Sequence, residues 1–251
     1  LVSSKFTLEG PIIKDKTSFI ISGRRTYIDL IAAPFVNAAS TPGSSTDLIL
    51  YFYDLNAKIN HKISKKNRIF FGAYTGKDKL GIDFSEDYSD QFSTEETSLN
   101  FGLGYGNITS TLRWNHLFND KLFSNTTLTY SRYSFNTNFG VSSTYVENNE
   151  AESWDIDFGY ISGIEDLGAR IDFDYIPNPN HEIKFGASYT NHYFFPGETS
   201  LSIEERQPNV SDNFSLDTTI NFSDNVRANE TFFYIEDNLS ISKVKGEIID
   251  V

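Results

Sequence analysis

The stretch ARIDFDYIPNPNHEIKFGASYT, residues 169–190, is built as two ribbons around a hinge. Ala169, Ile171, Phe173 and Tyr175 alternate with Arg170, Asp172 and Asp174. Ile183, Phe185, Ala187 and Tyr189 alternate with Lys184, Gly186, Ser188 and Thr190. Successive side chains of a strand point to opposite faces, so this period of two predicts two strands, each with an apolar and a polar face. Pro177-Asn178-Pro179-Asn180 lies between them and supplies turn formers, which predicts a tight hairpin connection. The pattern establishes two faces and leaves open whether the apolar one meets a protein core or lipid.

The same period recurs outward from the hairpin. Tyr53, Leu55, Ala57 and Ile59 alternate with Asp54, Asn56, Lys58 and Asn60. Leu99, Phe101, Leu103 and Tyr105 alternate with Asn100, Gly102, Gly104 and Gly106, and Trp154, Ile156, Phe158 and Tyr160 oppose Asp155, Asp157 and Gly159. Near Asn107 the phase slips by one, so that Ile108, Leu112 and Trp114 face one way and Thr109, Thr111, Arg113 and Asn115 the other; a β-bulge is the expected cause. Glycines 102, 104 and 106 are expected on an inner face, where they leave room for a plug or allow bending. Capped helical spacing is not evident anywhere.

About ten strands are predicted, near 2–9, 17–28, 47–61, 68–78, 97–118, 121–136, 152–176, 181–195, 229–241 and 246–251. Phe214, Leu216, Thr218, Ile220 and Phe222 alternate as well and read as a further ribbon. Short connections are expected around Pro11 to Asp15, Ser64 to Asn67, Asn119-Asp120, Pro177 to Asn180 and Ser242 to Gly246, and long ones near 32–46, 79–96, 137–152 and 196–229. Short and long alternate along the chain. A soluble sandwich has no reason to keep its long loops on one edge, whereas an outer-membrane barrel has short periplasmic turns and long extracellular loops.

Composition narrows the function classes. The net charge of −13 and pI of about 4.7 argue against binding nucleic-acid phosphates, which needs clustered Lys and Arg. No cysteine is present, which excludes disulfides, thiolate metal sites and a cysteine nucleophile. Aromatics make up 15%, too many for a disordered chain. No apolar run of about 18 residues predicts a transmembrane helix, and a mean hydropathy of −0.36 is compatible with strands apolar on one face only. The chain has no methionine, starts at Leu1 and stops at Val251 within an apparent strand, so it is expected to be an internal piece of a longer protein or a processed product.

Chemistry-bearing patterns are sparse. His61, His116, His181 and His192 have no metal-ligand spacing, and neither a nucleophile elbow nor a P-loop occurs. Carboxylate pairs such as Asp155 with Asp157, Asp172 with Asp174, Glu204 with Glu205 and Glu236 with Asp237 read as a solvated face rather than acid–base machinery. The acidic run from Asp83 to Asp90 lacks an EF-hand pattern. Catalysis, a cofactor and a metal are not expected. A soluble β-sandwich with an aromatic core stays open on periodicity alone.

Three segments carry a family likeness. EGPIIKDKTSFIISGRRTYIDL (Glu9 to Leu30) resembles an early barrel segment of TonB-dependent outer-membrane receptors. FDYIPNPNHEIKFGASYTNHYFFPG (Phe173 to Gly197) resembles their mid-barrel hairpin, and FFYIEDNLSIS (Phe232 to Ser242) a recurrent strand of the same family. The resemblance implies an all-β antiparallel transmembrane barrel of about 22 strands around a plug, with residues 1–251 forming one partial barrel domain of about ten meandering strands. It implies energised uptake of a scarce nutrient (siderophore, oligosaccharide or peptide) across the outer membrane of a Gram-negative bacterium. The partners implied are the lipid bilayer and lipopolysaccharide, the plug domain and TonB, and a surface lipoprotein. The alternatives are a passive porin-like barrel or smaller closed barrel, and a soluble binding module.

Asp54, Asn56, Lys58, Arg113, Asn115, Asp155, Asp157, Arg170, Asp172, Asp174 and Lys184 are then expected to face the lumen, toward plug or substrate. Arg24 and Arg25 are expected on opposite faces near the outer interface, because a lipid-facing Arg at the bilayer midplane costs ~2–4 kcal/mol.

Overall fold

The computed structural model describes residues 2–208, 210, 213–221 and 224–240. Among these residues ten strands form one antiparallel sheet. They are β1 (Ser3–Ile13), β2 (Thr17–Thr26), β3 (Ser44–Lys62), β4 (Asn67–Ser89), β5 (Ser93–Asn119), β6 (Leu122–Glu147), β7 (Glu150–Asn178), β8 (His181–Arg206), β9 (Phe214–Asn221) and β10 (Val226–Leu239). Each strand up to β8 pairs with the next in sequence. The fold is therefore an all-β, barrel-like meander of long strands. The expected strand at 246–251 and turn at Ser242 to Gly246 lie outside the described residues, as does Phe222.

Above Gly197, β8 pairs with β9 from Glu198↔Asn221 to Glu205↔Phe214. Below it, β8 pairs with β10 from Phe194↔Val226 to His181↔Leu239. β9 and β10 are thus one descending ribbon, interrupted opposite a β8 bulge. There the β7 ladder passes from Gly163↔Phe195 to Ile161↔Glu198. Gly197 has φ +141, and a Cβ at that position would run into the Tyr160 ring, so glycine is required.

The short connections fall on one rim, as expected. The Asn178 side chain accepts from Asn180 N at 3.0 Å, and Lys121 Nζ donates to the Pro177 carbonyl at 2.7 Å, tying the Pro-Asn-Pro-Asn turn to its neighbour. The far rim differs from the expected long loops, because strand continues through most of them. Residues 79–89 belong to β4 and 93–96 to β5, so that connection narrows to 90–92. There Asp90 accepts from the Phe92 and Ser93 amides, both at 2.8 Å. These bonds hold its carboxyl below the usual range. Residues 137–147 belong to β6 and 150–152 to β7, leaving a two-residue turn at Asn148-Asn149 with φ 51 and 65. Asn tolerates that left-handed conformation, and two such residues in succession suit the twist of a hairpin.

Residues 32–46, expected as loop, hold most of a helix, α1 (Ile28–Ala39). Apolar residues fill most of LIAAPFV (residues 30–36) without a clear face and Pro34 interrupts it, which hides helical periodicity. The helix packs against β3. A cavity of about 280 Å³ lies between Ile28 and Leu50, Phe52, Leu80, Leu103 and Tyr105. No helix among the described residues is long and apolar enough to cross a membrane.

The sheet is a single layer. Among the described residues no hydrophobic side chain is buried, and large ones such as Leu112, Leu128 and Phe158 remain 44%, 49% and 39% exposed. A β-sandwich needs a second sheet to cover the first, and these strands form only one. The apolar surface of this chain is made to be covered by something other than its own strands.

Candidate functional site

Directly opposed residues of an antiparallel ladder share a face, so the register sorts every side chain from β2 to β10. One face carries Leu112, the other Arg113, and they are named here by those residues. The row Arg25–Tyr53–Lys77–Gly106–Ser134–Gly163–Phe195, each paired with the next, crosses β2 to β8 on the Leu112 face.

Between this row and the short-turn rim, the Leu112 face is apolar. It presents Leu55, Ala57 and Ile59 on β3; Ile69, Phe71 and Ala73 on β4; Ile108, Leu112 and Trp114 on β5. Leu128 and Tyr130 follow on β6, Leu167, Ala169, Ile171 and Phe173 on β7, and Ile183, Phe185, Ala187 and Tyr189 on β8. One step inside the row, Arg132 stands opposite Glu165 on this face. From the next step, Ala57–Ala73–Ser110–Tyr130–Leu167, to the turns, the face holds no Asp, Glu, Lys or Arg from β3 to β8. Leu167 to Tyr175 is about nine residues, close to the ~9–11 that a tilted strand needs to cross a bilayer. Tyr53 and Tyr175 sit at the two ends of the band, and Trp114 Nε1 donates to Asn67 Oδ1 at 3.0 Å.

Behind the band, the Arg113 face is polar. Asp54, Asn56, Lys58, Arg113, Asn115, Arg170, Asp172, Asp174 and Lys184 all share it. Arg170 Nε donates to both Asp172 oxygens at 2.8 Å, Tyr234 Oη donates to Asp172 Oδ1 at 2.6 Å, and Arg170 stacks over the Tyr234 ring. Arg113 lies 4.6 Å from the Phe70 ring. A trough of about 940 Å³ is lined on this face by Asn56, Lys58, Asn60, Tyr74, Thr111 and Arg113. Asn60, Asn115 and Asn125 each keep a buried side-chain oxygen without a hydrogen-bond partner. Such groups are rare unless water or another protein group satisfies them.

Asp155 and Asp157 depart from expectation. The ladder places them on the Leu112 face, opposite Ser142 and Gly140 on one side and Glu204 and Ser202 on the other. The reason is that polarity exchanges faces at the row defined above. Beyond it the Leu112 face carries Gly102, Gly104 and Asn100 on β5, Asn136, Asn138 and Ser142 on β6, Asp155, Asp157 and Gly159 on β7, and Ser200, Ser202 and Glu204 on β8. The Arg113 face turns apolar there, with Ile82, Phe101, Phe139, Phe158 and Leu201 side by side in one ladder row. Trp154, Ile156 and Tyr160 belong to this apolar set.

Two further expectations change with it. No bulge occurs at Asn107: the β4–β5 and β5–β6 ladders run through it without a shift. Gly102 and Gly104 do not lie on the Arg113 face; the Asn138 and Asn136 amides cover them on the other side. The signal that could have found this is recurrence. Apolar parity reverses on β4, β5, β6 and β7 at matching distances from the short turns, which separate bulges would not reproduce.

Arg24 and Arg25 do lie on opposite faces. Arg24 is on the Arg113 face, 2.7 Å from Asp54, and Arg25 is on the Leu112 face over the Tyr27 and Tyr51 rings, 3.6 Å from Asp29. The histidines bond singly to neighbours: His61 to Thr17, His116 to Asn67 and His181 to Asp237. His192 lies between Asp166 and Glu230. The acidic run 83–90 is mostly strand with side chains on alternating faces.

No family model matches the chain, and no curated protein matches it. Among solved structures it is similar to the ferric yersiniabactin uptake receptor FyuA from Yersinia pestis, at 12% identity and a TM-score of 0.30. That alignment covers 94% of this chain and 41% of the receptor, so the chain spans well under half the receptor's length. A likeness at that level decides nothing about fold or function.

Proposed function

We propose that the chain forms part of the wall of an outer-membrane β-barrel that imports a scarce nutrient, of the TonB-dependent kind. One observation carries the reading: a charge-free apolar band of bilayer height on one face, backed by a charged and amide-rich face, in a sheet with no core. A spanning sheet must hydrogen-bond its backbone internally and offer lipid only apolar side chains. The long ladders and the Leu112 face from the Tyr130–Leu167 step to the short turns meet both demands. The sequence likeness of Glu9 to Leu30 and Phe173 to Gly197 supports the TonB-dependent kind of barrel.

In this reading the apolar band faces lipid. Asp54, Asn56, Lys58, Arg113, Asn115, Arg170, Asp172, Asp174 and Lys184 face a lumen filled by water and a plug, which would satisfy Asn60, Asn115 and Asn125. Arg25 and Lys77, on the lipid side at the outer edge of the band, are placed to meet lipopolysaccharide phosphates. The work is binding and gated passage, without covalent catalysis, and a surface lipoprotein is the expected outer partner.

The test is cellular. The full chain in its native protein should fractionate with the outer membrane, require detergent for extraction, and support uptake that collapses with the proton-motive force. A monomeric, folded product soluble without detergent overturns the membrane reading. Energy-independent conductance in planar bilayers replaces the transporter with a passive pore.

A further inference from the structure

The exchange of polarity between the two faces has a geometric consequence. One flat bilayer cannot lie against opposite sides of the same wall at two heights. The apolar surface of the short-turn half and that of the far half therefore cannot both be lipid contacts. From β3 to β8 the Leu112 face carries no Asp, Glu, Lys or Arg between the step Tyr130–Leu167 and the short turns, and the Arg132–Glu165 pair stands at the outer edge of that stretch. Beyond the row the same face carries Asp83, Asp155, Asp157, Glu204 and Asp217. Carboxylates in hydrocarbon are rare and face protein or water.

We infer that the bilayer ends at the row Tyr53–Lys77–Gly106–Ser134–Gly163–Phe195, and that the far half stands outside it with its polar face to water and its apolar face turned inward. This rests on the membrane reading above and adds which half of each strand touches lipid. The row itself bears the marks of an interface. Lys77 lies on it with Lys79 one step outward on the same face, and Tyr53 lies on it with Tyr51 beyond. Aromatic and cationic side chains gather where hydrocarbon gives way to headgroups. The inward assignment of the far apolar surface has a precedent in the molecule: α1 already sits against it, with Ile28 over Leu50, Leu80 and Leu103.

Residues 1–251 contain no cysteine, so a single introduced cysteine is unique within them. Nitroxide-labelled Leu112→Cys and Ala169→Cys mark the band, Ser142→Cys and Ser202→Cys the far part of the same face, and Phe101→Cys and Ile156→Cys the far apolar surface. Each is placed in the otherwise unchanged full chain, in phospholipid vesicles. Collisions with oxygen against a water-soluble nickel chelate report lipid against water. Positions 112 and 169 should be oxygen-dominated and lose reaction with a water-soluble maleimide. Positions 142 and 202 should be nickel-dominated and label fully, and 101 and 156 should lack the lipid signature. Oxygen dominance at 142 and 202, or at 101 and 156, overturns the boundary while leaving the membrane reading intact. Oxygen dominance nowhere overturns both. Ala169→Cys and Ser202→Cys are nearly isosteric and keep the comparison readable if a bulkier site disturbs folding.

Discussion

Ile171 and Ile156 are both isoleucines of β7, half-exposed on the same unbroken strand. Fifteen positions separate them (171 − 156 = 15), an odd number, so they point to opposite faces. Ile171 stands between Thr126 and Ala187, in a band without charges; Ile156 stands between Val141 and Ile203, behind a face that carries Asp155 and Asp157. Local sequence makes both look like apolar strand residues. Their difference lies in what the opposite face carries, and it teaches that apolar alternation in this sheet has two meanings at two heights.

The largest break in that comparison comes from charge. Leu112→Arg places a guanidinium in the charge-free band and should cost ~2–4 kcal/mol, read by reversible denaturant unfolding in vesicles. Ser202→Arg lies on the same face in the far half, between Asp157 and Asp217. It should change stability by no more than about 0.5 kcal/mol. Equal costs would erase the distinction between the halves.

Truncation on the far apolar surface should have the next largest effect. Phe139 stands between Phe101 and Phe158 in one ladder row, and cross-strand aromatic pairs contribute roughly 0.2–1 kcal/mol each. Phe139→Ala should therefore cost about 1 kcal/mol with outer-membrane insertion unchanged, measured by unfolding and fractionation in parallel. Arg24→Ala removes the ion pair with Asp54, in which the arginine is 49% exposed. Its cost should stay below about 1 kcal/mol and shrink with salt.

The smallest effect belongs to the far-rim turn. Asp90 is held below the usual carboxyl range, first by the Phe92 amide and then by that of Ser93. A carboxylate with a lowered folded pKa contributes stability above its unfolded pKa of about 3.9. That contribution fades as pH falls through the lowered value. Amide exchange at Phe92 and Ser93 should quicken over that acid range and be fast at all pH in Asp90→Ala, with the bilayer band unaffected.

Much of this was legible in the sequence. Alternation located the strands, the short turns and all but two of the residues assigned to the charged face, because those signals are local. Asp155 and Asp157 were misplaced because a strand's phase records which side is apolar, and which side is apolar depends on surroundings that change along the strand. The far-rim connections read as loops because Ser, Thr, Asn and Asp abound there, although Asn148-Asn149 is a compact hairpin turn. Helix α1 was hidden by Pro34 and by an apolar run without a clear polar side.

The β8 bulge separates the last ribbon into two independently zipped lengths. Above Gly197, β8 holds β9; below it, β8 holds β10, and the β7 ladder skips a residue at the same level. Among the described residues β9 pairs with β8 alone, so unpairing that starts in the upper ladder can run down to the bulge and stop, because no hydrogen bond of the lower ladder is shared with the upper. The outer corner of the sheet thus has its own opening equilibrium, and it can breathe while the wall beneath it stays closed.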